Sequence, residues 1–276
     1  MTAHPTTLGL RRYRAIYAAK FRAEVALQFA YRGMIAIWLL GLVVQPVVAL
    51  VVWTTVAASQ GGAVQGFEAA DFAAYFTTLM VVNHLTFTWH FSTMEWRIRN
   101  GFFSPLLLRP VHPVHADVVE NIAFKLITFP LLALTAVFLV IAFGARFQAE
   151  PWQAIAFVPA LVLAGVLRFV FEWNVGLGAF WITRMGAITQ TYWVVVLFLS
   201  GQVAPLELFP APIRVLATVL PFRWMVSFPV ELAVGRVSPD GAAFGFVMQG
   251  AWIAISLVVL RVAWRAGVRR YSAVGA

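Results

Sequence analysis

The chain has no cysteine among its 276 residues, which excludes disulfides, thiolate metal centres and cysteine nucleophiles. Charge is scarce: Asp, Glu, Lys and Arg make up 11% of the sequence, against about 25% in an ordinary soluble domain. Lysine is nearly absent. Lys20 and Lys125 are the only two, and neither follows a glycine, so the G-x-x-x-x-G-K phosphate loop is missing and with it that route to ATP hydrolysis. Clustered carboxylates and nucleophile–base pairs, which an intramembrane enzyme would need, are missing too. In their place stand hydrophobic residues at 62% and aromatics at 15%, the composition of an integral membrane protein. Lys and Arg number 20 against 11 acidic residues, a net charge of +9. In a soluble chain this excess would point to nucleic acid; here its position relative to the apolar runs decides its meaning.

Six apolar runs stand out: 33–58, 72–91, 122–145, 151–173, 188–203 and 244–264. A helix needs about 20 apolar residues to cross the hydrocarbon core, so the fifth run is short. The expectation is an all-α membrane protein with six crossings, which return both chain ends to one side. That side (1–32, 93–121, 183–187 and 265–276) carries thirteen Lys and Arg; the other (59–71, 146–150 and 204–243) carries four. The positive-inside rule makes the basic side cytoplasmic, with both termini there, and topology then explains the basic charge without nucleic acid. Val56-Ala57-Ala58-Ser59 resembles a signal cleavage site. The run before it exceeds the 7–15 apolar residues, roughly, of a signal core, so it is read as a crossing.

Three segments depart from simple crossings. In 1–32, Tyr13, Tyr17, Phe21, Val25 and Phe29 recur every four residues and form one helical stripe, with Arg11, Arg14 and Arg22 off it. This predicts a helix in the cytoplasmic headgroup plane, either a passive anchor or a lever joining a partner to the first crossing. The loop 93–121 contains Arg97, Arg99, Gly101, Phe102, Phe103, Leu106, Leu107, Leu108, Arg109 and Pro110. Apolar residues rimmed by arginine and shaped by proline are read as a docking surface, the alternative being a loop lying on the membrane. His112 and His115 in the same loop have a spacing that suits a metal only with Asp117 or Glu120 as a third ligand, and are read as plain surface residues. In 204–243, Pro205, Pro210, Pro212, Pro221 and Pro229 sit among apolar residues, which predicts short pieces that enter the outer leaflet and return as a cap.

Polar groups within the runs are few. Arg168 and Glu172, four apart on the fourth crossing, share a helix face and are read as a structural ion pair, the alternative being a cationic substrate's counter-ion at Glu172. Phe76, Met80, Asn83, His84 and Phe87 on the second crossing, with Gln190, Tyr192, Trp193 and Phe198 on the fifth, form a candidate substrate pathway; ordinary helix packing explains the same pattern equally well. His84 and His90 point apart and do not suit haem. Gly176-Leu177-Gly178 follows no strand and is no nucleotide fingerprint.

Two stretches carry a resemblance. Arg99-Asn100-Gly101-Phe102-Phe103-Ser104-Pro105-Leu106-Leu107-Leu108-Arg109-Pro110 is similar to the glycine, leucine-rich run and Arg-Pro of ABC-2-type ABC transporter permeases, with Phe103-Ser104 where Leu-Asp is expected. Ser200-Gly201-Gln202-Val203-Ala204-Pro205-Leu206-Glu207-Leu208-Phe209-Pro210, then Leu220-Pro221-Phe222, Pro229 and Gly235, resembles the signature of the family's bacterial exporter branch. The resemblance implies the type V exporter fold: a connecting helix in 1–32, a coupling helix in 93–121 seated on a separate ATPase subunit, and re-entrant helices in 204–243. It implies two ATPase chains carrying ATP and Mg, no cofactor on this chain, a second permease that is either a paralogue or a copy of itself, and a place in the bacterial cytoplasmic membrane. A hydrophobic or cationic xenobiotic is the expected cargo of multidrug efflux, with a lipid or polysaccharide, or an ion-coupled transporter, as alternatives.

Overall fold

The computed structural model describes residues 9–182 and 184–271. Residues 1–8, position 183 of the expected 183–187 turn and 272–276 of the expected tail lie outside them. Helix α1 (Leu10–Ala30) has no proline or glycine to break it, and Tyr31 separates it from α2 (Arg32–Ser59), which contains Pro46. A hairpin, β1 (Ala63–Val64) with β2 (Phe67–Glu68), is the only sheet among the described residues. Glu68 and Asp71 then form a capping box, each side chain taking an orphan backbone N–H, and start α3 (Ala69–Thr86). Then come α4 (His90–Arg99), the one-turn α5 (Ser104–Leu107) and α6 (Pro113–Ala142). Glu150 and Gln153 cap α7 (Pro151–Leu177) in the same way. The rest is α8 (Gly186–Leu199), α9 (Ala211–Val219), α10 (Pro221–Met225), α11 (Ser227–Ala233) and α12 (Pro239–Arg270).

Among the described residues three helices are long and apolar enough to cross a membrane: α6, α7 with the 3-10 turn that ends it at Phe180, and α12. The stretch Val43–Ser59 of α2 and helix α8 are shorter apolar helices. Helix α3 lies at the centre, where α2, α6, α7 and α11 pack around it and bury most of its residues.

The structure corrects several expected boundaries. The run 72–91 is not one helix: α3 stops at Thr86 and α4 starts at His90. Thr88 offers its hydroxyl to the His90 N–H (3.4 Å) and to His90 Nδ1 (2.7 Å), which competes with helical bonding at this point. The expected loop 93–121 is mostly helical, because α4 runs on to Arg99 and α6 begins at Pro113, a position that tolerates proline. The fifth run is helical only to Leu199. The stripe of α1 also has a protein neighbour: the Tyr13 and Tyr17 rings lie 6.1 and 5.8 Å from that of His115 on α6. Phe29, at the far end of the stripe, is exposed.

Among the described residues two main apolar cores form, beside a small cluster of Met80, Leu132 and Leu139. The larger joins Phe72, Phe76, Leu167, Trp224 and Phe228. The smaller, at the end of the bundle holding α4, α5 and the last turns of α7 and α12, joins Met94, Phe103, Trp173, Phe180 and Met185. The first residues of α6, on which α1 packs, lie at this same end. The hairpin, 146–150 and 235–237 meet at the other, where Arg146 reaches Glu68, and Arg236 sits 3.5 Å above the Phe67 ring and 3.6 Å from Asp71.

Candidate functional site

At the α4–α5 end the chain builds a small rigid tip. Arg97 donates to both oxygens of Asp117 on α6 at 2.8 and 3.0 Å, so it faces inward. Arg99 is exposed and pairs with Glu95 at 3.0 Å, while Glu95 also accepts from the Met185 N–H. Gly101 turns the chain with φ 75°, and Phe103 N–H closes the turn on the Arg97 carbonyl at 3.0 Å. Phe103 is fully buried, with edge contacts to Phe180, Trp264 and Tyr271. Ser104 shares a 2.7 Å hydrogen bond with Tyr271. The Phe-Ser pair is thus the anchor of the tip. Leu106 and Leu107 lean on the same core. What remains outside is mostly apolar, Trp96 stacked on Phe102 at 4.6 Å and 12°, with Pro105, Leu108 (87% exposed) and Pro110, flanked by the charged Arg99 and Arg109.

The two loop histidines are separately engaged. His112 caps α6 by accepting the Val114 N–H at 3.2 Å and packs 4.1 Å from the Trp264 ring, while His115 Nδ1 bonds Tyr17. Burial, and next the charge of His115, push the His112 imidazole pKa down from 6.5 to about 4.

In the middle of the bundle, Arg168 and Glu172 are both fully buried and share a 2.8 Å bond. Arg168 also donates to Asn83 (2.7 Å) and Thr86 (3.1 Å), and Tyr192 donates to Glu172 (2.7 Å), so one knot ties α7 to α3 and α8. This arrangement pairs two charges that would each cost several kcal/mol alone, of order 2.5–3.5 on insertion scales, and it leaves Arg168 Nη2 and Glu172 Oε2 without a partner among the described residues. The expected pathway divides around the knot. Phe76, Met80, His84 and Tyr192 are buried in packing, with His84 Nε2 2.9 Å from the Thr128 hydroxyl. Gln190 and Phe198 are exposed on α8. Asn83, Phe87 and Trp193 come together at a groove of about 460 Å³ between α2, α3 and α8, completed by Trp38, Gln45 and Gln202. Phe87 stacks on Trp193 at 5.6 Å, with the Arg168 guanidinium 5.5 Å from the Phe87 centroid. Sequence reading missed Trp38 and Gln45 because they come from the first run, which carried no candidates.

Beyond the groove, the chain after α8 folds back into the bundle. Gly201 has φ 79°, and a Cβ there would lie 2.4 Å from the Tyr75 hydroxyl, which donates to the Gly201 carbonyl. Gly235 has φ 83°, and its Cβ would lie 2.5 Å from the Gln148 backbone. Both positions need glycine for conformation and for space. Helices α10 and α11 are largely buried, and Arg223 pairs with Glu231 at 2.8 Å. Burial, and then Glu231, raise the pKa of the Glu207 carboxyl.

Long apolar helices around a buried central helix, with a fold-back segment at one end and an exposed apolar tip at the other, define an integral membrane protein that is mostly helix. The family model described as ABC-2 family transporter protein matches residues 43–275, and the chain belongs to that family. It is therefore a membrane subunit of a transporter that works with an ABC ATPase, and not the ATPase itself. No curated relative matches it.

Proposed function

We propose that this chain is the permease of an ATP-driven exporter in the bacterial cytoplasmic membrane, with six crossings and both termini in the cytoplasm. The crossings are α2, α3 with α4, α6, α7, α8 and α12; α9 to α11 form the outward cap. Two permease chains, a pair of copies or this chain with a paralogue, stand on two ATPase subunits that carry ATP and Mg. The observation that carries this reading is the tip: Trp96, Phe102, Leu108 and Arg109 are exposed on a turn held by Phe103, Ser104 and the Arg97–Asp117 pair. An apolar platform on a rigid mount transmits a push, whereas a mobile loop would absorb it. ATP binding closes the ATPase pair, the tips move, and the crossings rock so that cargo affinity falls as the site turns outward. Only a cargo bound differently in the two states can be coupled in this way.

The groove supports a hydrophobic or cationic xenobiotic as cargo, since Trp38, Phe87 and Trp193 offer ring faces while Gln45 and Gln202 offer polar contacts. Glu172, held by Arg168 and Tyr192, gives little support to an ion-coupled transporter, which needs a carboxylate placed to titrate. The test is Arg109→Glu with Phe102→Asp. The variant should insert normally yet lose co-purification with the ATPase and ATP-dependent transport. Survival of both activities would remove the tip from the coupling path.

A further inference from the structure

The sequence drew attention to His112 and His115 as possible ligands, but the structure gathers a different set. His90 opens α4, while Asp117 and Glu120 are three apart on α6 and share a face. The His90 Nε2 atom is buried, has no hydrogen-bond partner, and lies 3.9 Å from Asp117 Oδ1 and 3.8 Å from Glu120 Oε2. These separations are too long for direct hydrogen bonds. Two features fix the imidazole in this direction: its Nδ1 meets the Thr88 hydroxyl at 2.7 Å, and its face stacks on Trp89 at 5.0 Å. With the proton on Nδ1, the Nε2 lone pair faces two carboxylate oxygens, an arrangement that calls for a cation among the three.

We propose that His90, Asp117 and Glu120 form a binding site for a divalent transition-metal ion of the zinc class, with a fourth position left to water. One imidazole and two carboxylates are a donor set that zinc accepts. A tetrahedral ion with arms of about 2.0–2.2 Å holds its ligand atoms about 3.3–3.6 Å apart, so the two His90 separations need to close by a few tenths of an ångström, and the three ligand atoms already lie within 4.8 Å of one another. The outer contacts are already in place. Thr88 orients His90, Trp173 Nε1 donates to Asp117 Oδ2 at 2.9 Å, and Arg97 Nη1 donates to Asp117 Oδ1 (2.8 Å) and Oδ2 (3.0 Å), with its Nη2 4.0 Å from Glu120 Oε2, so an ion shares Oδ1 with the guanidinium. Such supporting hydrogen bonds are what ligating groups require. The positive charge of Arg97 sets the affinity below that of a site with the same ligands and no arginine. An ion here clamps α4 to α6 directly behind the tip and so acts on the mount of the docking surface. The binding itself does not depend on the transport reading, since it is measured on the purified chain without an ATPase.

The experiment incubates the full chain, in lipid nanodiscs, with zinc alone, then desalts it and measures retained metal and the thermal midpoint. About one equivalent of zinc and a raised midpoint are expected. Cobalt in its place should give the visible bands of a four-coordinate ion. His90→Gln and Glu120→Gln should each reduce retained zinc at least about tenfold, and His115→Gln should leave it unchanged. Should His90→Gln fail to fold, Glu120→Gln decides alone, because that side chain is at the surface edge of the cluster (25% exposed). The proposal is overturned if wild type retains no more zinc than Glu120→Gln, or if His115→Gln rather than His90→Gln abolishes retention.

Discussion

Replacing Arg168 by Met tests what the buried knot contributes. Methionine keeps the packing of the arginine stem but stops two atoms short of the terminal guanidinium nitrogens, so the charge and three hydrogen bonds, to Glu172, Asn83 and Thr86, are lost. Hydrogen bonds to charged groups are worth about 1.5–3 kcal/mol each, but they are not additive within one network. The larger effect is on Glu172, which is left buried with Tyr192 as its one donor. Removing one partner of a buried pair costs about 3–5 kcal/mol. At about 2–4 °C per kcal/mol for a chain of this size, the thermal midpoint should fall by roughly 6–20 °C. Tryptophan fluorescence or size-exclusion stability of the purified protein measures it. The double variant Arg168→Met with Glu172→Leu should recover most of the loss, because an apolar pair of similar volume is often as stable as a buried ion pair. A single variant within about 1 kcal/mol of wild type, or a double variant less stable than the single, would refute this account of the knot.

Gly235→Ala should destabilise by several kcal/mol on the order of an overpacked core, since φ and space are both unsuitable, whereas Gly250→Ala, which meets nothing within 4 Å, should be neutral or slightly stabilising; thermal midpoints separate them. His112 is held neutral by burial, so its folded pKa of about 4 lies below its ordinary value of 6.5. The unfolded chain then binds more protons between these values, and stability should be full above pH 6.5 and fall toward pH 4; His112→Asn, which can still accept the Val114 N–H, should flatten that slope in a midpoint-versus-pH series. Trp193→Ala removes one wall of the groove and the stack on Phe87, and it should change cargo-stimulated ATPase activity in the assembled complex while leaving basal ATPase activity and assembly intact. Unchanged stimulation across several cargoes would place the binding surface elsewhere.

The helical class and most of the apolar runs were legible because hydropathy averages over many residues. Arg168 and Glu172 were legible as a pair because a four-residue spacing needs no tertiary knowledge. Local chemistry hid the rest. The break at 87–89 rests on the Thr88 hydroxyl and on Asn121, which takes up the freed Phe87 carbonyl, and nothing in the apolar run announces it. The tip was found, but its interior and exterior were not separable: Arg97, Leu106 and Leu107 looked like Arg99, Phe102 and Leu108 until α6 and α12 were in place. In a chain where both lipid and core are apolar, periodicity cannot tell a face that packs on helices from a face that lines a groove. Phe76 and Met80 went to the first, and Phe87 and Trp193 to the second.

Several polar side chains within this bundle have a common task. The Phe87 carbonyl, freed where α3 ends, accepts from Asn121 at 3.2 Å. Past α8, the Gly201 carbonyl accepts from Tyr75 at 2.9 Å and the Val203 carbonyl from Trp53 at 2.8 Å. Between the short cap helices, the Thr218 carbonyl accepts from Trp224, the Val219 carbonyl from Trp252 and the Trp224 carbonyl from Gln249. In the proposed membrane arrangement each of these carbonyls would otherwise be an unsatisfied polar group in hydrocarbon, so a helix can break there only if a neighbour supplies a donor. This requirement accounts for Asn121, Tyr75, Trp53, Trp224, Trp252 and Gln249 without a cargo. Asn83 is engaged too, because its oxygen is held by Arg168. Gln45 then remains, with the oxygen of Gln202, whose amide nitrogen donates to Ser200 at 2.9 Å, as the polar groups that the groove can turn toward a cargo, and the ring faces of Trp38, Phe87 and Trp193 supply the rest of its recognition.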